Sequence, residues 1–341
     1  MRLSEITKGR ENNLDFIRFL AAVMVIFCHA FPLSLGGDNV DILGRLTNNQ
    51  IHLGNLAVCI FFFYGGFLIC KSASRLQKGT AYFKARALRI FPSLAVVTVV
   101  LAFIVGPIIT EWSIGAYFTS KDTYKYLLNA LLIPIHNLPG VFQGNSYDAT
   151  VNGPLWTLPI EFLCYIMCFL ALKMKFLEEK NAKWMILLFS VGFLVASRLL
   201  SNVSLLSAAL RPTGLFFAGM VCFIYKDKIV IKPWIALLSA VILVLSAVVG
   251  VLGIAIFFCF PYLMMYLGFG TKHKFSGFAK RGEFSYGIYL CGWPIQQMVC
   301  QSFGGQMNPY VNVLLSLPIA VICGFLLNRL VERPLSKLGK A

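Results

Sequence analysis

The chain has 341 residues, 58% of them hydrophobic and 13% charged, with a mean hydropathy of +0.76. That balance excludes an ordinary soluble domain and implies an integral membrane protein. The formal net charge of +16 would suit nucleic acid in a soluble protein, but these basic residues punctuate apolar runs, the pattern that orients membrane helices, and so argue against a nucleic-acid partner.

Ten apolar stretches approach the ~20 residues needed to cross a bilayer. They lie around 14–33, 53–71, 92–110, 154–173, 184–200, 209–225, 233–249, 251–270, 284–301 and 310–331. The expectation is an all-α integral membrane bundle of about ten transmembrane helices, with 1–341 as a single domain. Lysine and arginine collect in alternate connecting segments, from Arg2, Lys8 and Arg10 to Lys280 and Arg281, and finally Arg329, Arg333 and Lys340. The segments between hold Arg45, Lys121 and Lys125, with Arg198 and Arg211 near span ends. By the positive-inside rule, the tails 1–13 and 332–341 are both cytoplasmic and the span count is even. The first span has no small-residue cleavage site after it and is expected to be retained rather than removed as a signal peptide. The ten cysteines fall in or beside apolar runs with no Cys-x-x-Cys, which reads as free core thiols rather than disulfides or metal ligands.

In the first span, Arg18 and His29 are eleven positions apart, three helical turns plus roughly 20°, so both lie on one face about 16 Å apart. Ionisable residues inside an apolar helix are functional candidates by default. Next in order, Lys84, Arg86 and Arg89 precede Pro92 at the inner mouth of the third span, level with Arg18. Guanidinium groups gathered there suit phosphate oxygens, or equally the anionic lipid that flanks inner helix ends everywhere. Segment 111–153 is too long for a simple outer connection and reads as a lid or surface helix. Its Trp112, Tyr117, Tyr124 and Tyr126 suit the interfacial aromatic belt better than ligand stacking, and Gly144 to Asp148 is turn-rich, as at the mouth of an outward site. On the fourth span Glu161 lies about 10 Å below the outer surface, while His29 lies ~22 Å up from the inner one, at similar depth. The pair reads either as a general base with its balancing carboxylate or as a buried structural hydrogen bond.

Leu14-Asp15-x-x-Arg18-x-x-Ala21, ending in His29 with ten residues after Arg18, resembles the signature of the membrane acyltransferase-3 family. Gly65-Gly66-Phe67-Leu68-Ile69 is similar to that family's SGFLI segment, with Gly65 where serine is usual. Arg86-x-x-Arg89-Ile90-x-Pro92 resembles its arginine-rich segment, and Trp156-Thr157-Leu158-x-x-Glu161-x-x-x-Tyr165 its WSLxxE segment. Ser285 to Leu290 and Glu332-Arg333-Pro334 match the late segments in order. Many relatives carry a histidine two residues beyond that leucine, where this chain has Gly292, so a histidine there is not required for the chemistry.

The resemblance implies a stand-alone O-acyltransferase in a bacterial inner membrane. It would move an acyl group, commonly acetyl, from cytoplasmic acyl-coenzyme A to a hydroxyl of an extracytoplasmic polysaccharide or lipid-linked sugar. His29, Glu161 and Arg18 are then the candidate catalytic residues. Arg18, Lys84, Arg86 and Arg89 are the candidate donor contacts, and Trp156, Tyr147 and Tyr289 the candidate acceptor contacts. Acyl-coenzyme A enters as a substrate, with no bound cofactor or metal expected. The competing reading is a transporter of a small molecule or sugar, which would hold its cargo near the midplane.

Overall fold

The computed structural model describes residues 1–338 apart from 10, 38, 77, 148, 200–203, 273 and 279–281. Arg10, Asp148, Lys280, Arg281 and Lys340, the end of the fifth expected span at Leu200, and 339–341 of the C-terminal tail therefore lie outside the described residues. Among the described residues the secondary structure is helical, with one isolated antiparallel bridge between Arg2 and Val230.

Ten long helices follow one another among the described residues. They are α1 Leu14–Leu35, α2 Leu53–Leu76, α3 Gly79–Ile109, α4 Gly153–Lys173, α5 Ala182–Leu199, α6 Ala208–Ile224, α7 Pro233–Val248, α8 Leu252–Gly270, α9 Ser285–Ser302 and α10 Pro309–Ser336. Each coincides with one of the apolar stretches. Seven of them, α1 to α5, α8 and α10, are long and apolar enough to cross a membrane; α6 and α7 are shorter. Helix α9 has 18 residues but carries Gln296, Gln297 and Gln301, and the first two are fully buried. Polar side chains at membrane depth are tolerated where they face protein rather than lipid.

The chain forms two compact units. The first comprises Met1–Arg18, Asn55–Tyr82 and Ile160–Arg281. Here Gly66 lies against the Phe216 carbonyl, and Gly219 against that of Phe63, so that a Cβ at either would overlap backbone. Small residues of this kind let membrane helices approach closely. The Tyr64 hydroxyl donates to Met264 O at 2.7 Å, and Asn13 Nδ2 to Leu267 O at 2.9 Å. Leu267 belongs to the stretch Tyr266–Gly270, where α8 widens into a π-helix and leaves carbonyls for such donors. A cavity of about 230 Å³ between α4, α5 and α6 is lined by Cys164, Met185, Thr213, Phe216 and other apolar side chains, and none of its lining residues is an acid or a histidine.

The second unit comprises Phe19–Gly54, Phe83–Pro159 and Gly282–Ala341. Its α9 and α10 cross where Gly287 faces Gly324, and a Cβ at 287 would sit 2.7 Å from the Gly324 Cα. Leu314, Ile322 and Leu330 of α10, with Ile104 and Ile108 of α3, are exposed. Contiguous apolar faces are solvated by lipid in a membrane and would be liabilities in water.

The long segment before α4 folds as Ile114–Thr119, Lys121–Lys125 and a 3-10 stretch, Tyr126–Leu131. Trp112 and Tyr124 are exposed, as the aromatic-belt reading requires, but Tyr117 and Tyr126 are fully buried. Tyr117 donates to Ala102 O at 2.7 Å, a carbonyl in the π-helical stretch Leu101–Val105 of α3, and burial pushes its phenol up to about 12. These two tyrosines anchor the segment to its own unit instead of marking an interface.

Candidate active site

The second unit gathers its chemistry around one helix face. His29, in the part of α1 belonging to this unit, is half-buried, and its ring meets Trp293 of α9 edge-on, with centroids 4.8 Å apart. Within the unit, the described residues supply no hydrogen bond to either imidazole nitrogen.

The carboxylate in electrostatic reach of His29 in this unit is Asp41, a residue that the motif reading passed over. Asp41 is fully buried and caps the short helix Ile42–Leu46, its Oδ1 accepting from Gly44 N at 2.9 Å. Its Oδ2 accepts from Leu53 N at 2.8 Å, at the start of α2, and the Cys28 thiol hydrogen-bonds to the same carboxylate. Two backbone donors and a thiol hold the charge in place, which is what makes a buried carboxylate tolerable. The N-cap preference for aspartate before Ile42 was the available signal. Nothing in the sequence marked the cap as lying within electrostatic reach of an imidazole.

Trp293 is fixed in turn by its surroundings. Its Nε1 donates to Thr150 O at 2.9 Å, and Tyr147 packs on it at right angles with centroids 5.2 Å apart. Gln297 Nε2 reaches Tyr147 O and Thr150 O, each at 3.0 Å, while Asn145 Nδ2 donates to Gln297 Oε1 at 2.8 Å. Asn152 Nδ2 donates to Leu290 O at 2.9 Å. Asn145, Tyr147, Thr150 and Asn152 are thereby pegged along α9 over Leu290 to Gln297, at the indole that meets His29. Of the expected acceptor contacts, Tyr147 lies in this group and is half-buried. Tyr289 is buried, its hydroxyl shared between Thr157 Oγ1 at 2.6 Å and Pro154 O at 2.5 Å. Trp156 is half-buried in the 3-10 turn Gly153–Trp156 that starts α4. Gly292 faces Ile26, where a Cβ would lie 3.0 Å from Cγ1, so a histidine there would require Ile26 to move.

The basic cluster also falls in the second unit, on α3. Lys84 is exposed and Arg86 half-buried. Arg89 pairs with Glu283, lies 3.9 Å from Glu332 and stands over the Tyr286 ring at 5.8 Å. Glu332 is held by Ser93 Oγ at 3.2 Å and Asn328 Nδ2 at 3.1 Å. Asn328 and Glu332 bound the π-helical stretch Asn328–Glu332, and the second of them opens the Glu-Arg-Pro segment. Arg18 and Glu161 belong to the first unit. Arg18 is half-buried, and Glu161 accepts from the Tyr165 hydroxyl, whose backbone carbonyl takes the Tyr82 hydroxyl at 2.9 Å.

Seven membrane-length apolar helices define a multi-pass membrane protein, with a histidine on the first of them in electrostatic reach of a buried, hydrogen-bonded carboxylate. The chain belongs to the acyltransferase-3 family, whose model, described as an acyltransferase domain, matches residues 11–329. It is an acyltransferase that transfers groups other than aminoacyl groups. An O-acetyl transferase of Shigella phage Sf6 is 29% identical over 337 residues, covering 95% of this chain and 96% of that protein. Nodulation protein 10 of Rhizobium leguminosarum bv. viciae is 30% identical over 167 residues, 48% of this chain and 44% of that one. Acyltransferase MdmB of Streptomyces mycarofaciens is 27% identical over 154 residues, 45% and 37% respectively. No solved structure matches the chain.

One expectation separates the two carboxylates that could serve His29. Asp41→Asn removes the charge while leaving the volume, and Glu161→Gln does the same on α4. We expect Asp41→Asn to lower transfer at least tenfold and to move the pH–activity profile, because an imidazolium at His29 would lose a counter-charge in electrostatic reach. A purely structural loss scales the whole profile without moving it. A shifted profile in Glu161→Gln, with an unmoved one in Asp41→Asn, would assign the role to Glu161.

Proposed function

We propose that this chain is an O-acetyltransferase that takes its acyl group from cytoplasmic acetyl-coenzyme A and delivers it to a hydroxyl of an extracytoplasmic polysaccharide or lipid-linked sugar. All ten helices would span the inner membrane of a bacterium, with both tails cytoplasmic. The observation that carries this reading is His29, a half-buried imidazole with both nitrogens unused within its unit and Asp41 in electrostatic reach. The near full-length likeness to a phage O-acetyl transferase supports it.

In this mechanism His29 takes the proton of the acceptor hydroxyl as the oxygen attacks the thioester carbonyl. The carbon–sulfur bond breaks, the sulfur leaves as coenzyme A thiolate, and the imidazolium returns a proton to it. One ester and one thiol replace one thioester and one alcohol. Asp41 balances the transient imidazolium, and Glu161 is the second candidate for that role. Arg18, Lys84, Arg86 and Arg89 are assigned to the donor's phosphates, because guanidinium forks bind phosphate oxygens bidentately. Trp156, Tyr147 and Tyr289 are assigned to the acceptor.

Sealed vesicles of known orientation test the route. Acetyl-coenzyme A is expected to work only from the Arg86 side, and the acceptor to be modified when confined to the other. Transfer occurring only when both substrates share a compartment would refute passage across the membrane. Uptake of a sugar without release of free thiol would favour a transporter.

A further inference from the structure

The cavity between α4, α5 and α6 takes no part in the chemistry above and lies wholly within the first unit. Cys164 and Ala171 line it from α4, and Thr213 and Met220 from α6, seven residues apart in each helix, so it runs along both for about 10 Å. Thr213 hydrogen-bonds to the Cys164 thiol, and these two polar side chains of the wall thus satisfy each other. Met167 and Leu188 also line the cavity and are 39% and 59% exposed, so it opens sideways between α4 and α5. Only 11% of the apolar window of α5 is buried, which leaves that mouth facing lipid. An apolar cavity of about 150 Å³ stays free of water and takes up benzene. At about 230 Å³ this one has room for a longer piece of hydrocarbon.

One end of the cavity is basic. Beyond α4 the chain turns back on itself, Lys175 in a left-handed conformation with φ 59° and Phe176 N donating to Ala171 O at 2.8 Å, which returns Phe176 to the cavity wall. Asn181 Nδ2 donates to Lys175 O at 3.1 Å and ties this turn to the start of α5. There the Lys183 Nζ lies 5.5 Å from the ring centroid of Trp184, which is exposed, and the next residue, Met185, lines the cavity again. An exposed tryptophan at the end of a membrane helix marks the headgroup level. The carboxylates of the turn are engaged, Glu178 by Lys180 at 3.1 Å and Glu179 by Lys228. Among the described residues no carboxylate pairs with Lys175 or Lys183, and both are exposed.

We propose that this is a binding site for an anionic phospholipid, with one acyl chain lodged between α4, α5 and α6 and the headgroup phosphate held by Lys175 and Lys183. Charge selects the occupant: any hydrocarbon fills the cavity, but only a lipid of net negative charge also balances the two lysines at its end. Basic pockets between membrane helices take anionic headgroups in this way. The site stands apart from the acyl-transfer reading and is tested without it.

Native mass spectrometry of the intact protein in detergent, with lipid added, reads the binding directly. Phosphatidylglycerol is expected to bind at least about tenfold more tightly than phosphatidylcholine of the same chains. Lys183→Gln and Lys175→Asn, the asparagine because it tolerates a left-handed backbone, should each weaken phosphatidylglycerol about fivefold and leave phosphatidylcholine unchanged. Ala171→Leu inside the cavity and Leu188→Trp at its exposed mouth should each weaken both lipids at least about fivefold by taking up the space. Leu188 is exposed enough that its replacement leaves folding intact, and thermal melting without lipid verifies this. Phosphatidylglycerol binding that is unchanged in Leu188→Trp and Ala171→Leu would overturn the site. Equal binding of the two lipids, unmoved by the lysine variants, would overturn the anionic headgroup. Displacement of phosphatidylglycerol by undecaprenyl phosphate at lower concentration would give the cavity to a lipid-linked sugar carrier and overturn the phospholipid assignment.

Discussion

Replacing His29 by alanine is expected to lower acyl transfer by a factor of about 100 to 10,000, the usual loss when a general base is removed. The protein itself should reach the membrane in normal amount. Among the described residues of its unit His29 makes no hydrogen bond, its ring contact there is an edge contact with Trp293, and the change leaves no charge newly exposed. Aromatic contacts of this kind contribute about 0.5–1.5 kcal/mol, too little to unfold a bundle of this size. The measurement is thiol release from acetyl-coenzyme A in membranes normalised to the amount of protein. Activity within twofold of the unmodified protein would remove His29 from the chemistry.

The second large effect belongs to Arg89, which should fail in two ways where Arg86 fails in one. Both alanine variants are expected to raise the Michaelis constant for acyl-coenzyme A about 10-fold to 100-fold while changing the saturated rate less, since phosphate contacts are made equally in ground and transition states. Arg89→Ala also strands Glu283 and Glu332, whose side chains are 13% and 8% exposed. Breaking a buried pair costs about 3–5 kcal/mol. Because a third of the Arg89 side chain meets solvent, the expected loss is nearer ~2 kcal/mol. Thermal melting in detergent reads this directly. Neutralising both partners, as Arg89→Ala with Glu283→Gln and Glu332→Gln, should restore the melting temperature without restoring donor affinity. Recovery of both would mean that Arg89 only balances the two carboxylates.

How much of this was legible beforehand depended on the range of the interaction involved. Helix positions follow from runs of apolar residues, and each of the ten runs is a helix, because backbone groups in lipid must bond within their own segment. His29 and the α3 cluster stood out for a similarly local reason, an ionisable side chain inside or just beside an apolar run. Asp41 did not stand out, because an aspartate in a polar connection looks like any surface cap until the fold buries it. Trp293 was hidden among other apolar residues of α9. Tyr117 and Tyr126 were misplaced to an interface because composition cannot tell an aromatic ring that meets lipid headgroups from one that anchors a loop.

The order of amino acids alone is enough to make this chain a multi-pass membrane acyltransferase with a histidine in its first helix, because hydropathy, charge alternation and motif spacing are properties of neighbouring residues. Which groups surround that histidine is a matter of long-range packing. The pegging of Asn145, Tyr147, Thr150 and Asn152 along α9 and the engagement of Arg89 by Glu283 and Glu332 join residues far apart in sequence, and the approach of Asp41 to α1 joins a short capped helix to a long one. They depend on glycine crossings such as Gly287 with Gly324 and on widened π-helical turns. No local pattern encodes these meetings, since each requires two segments to be brought together by the burial of side chains elsewhere.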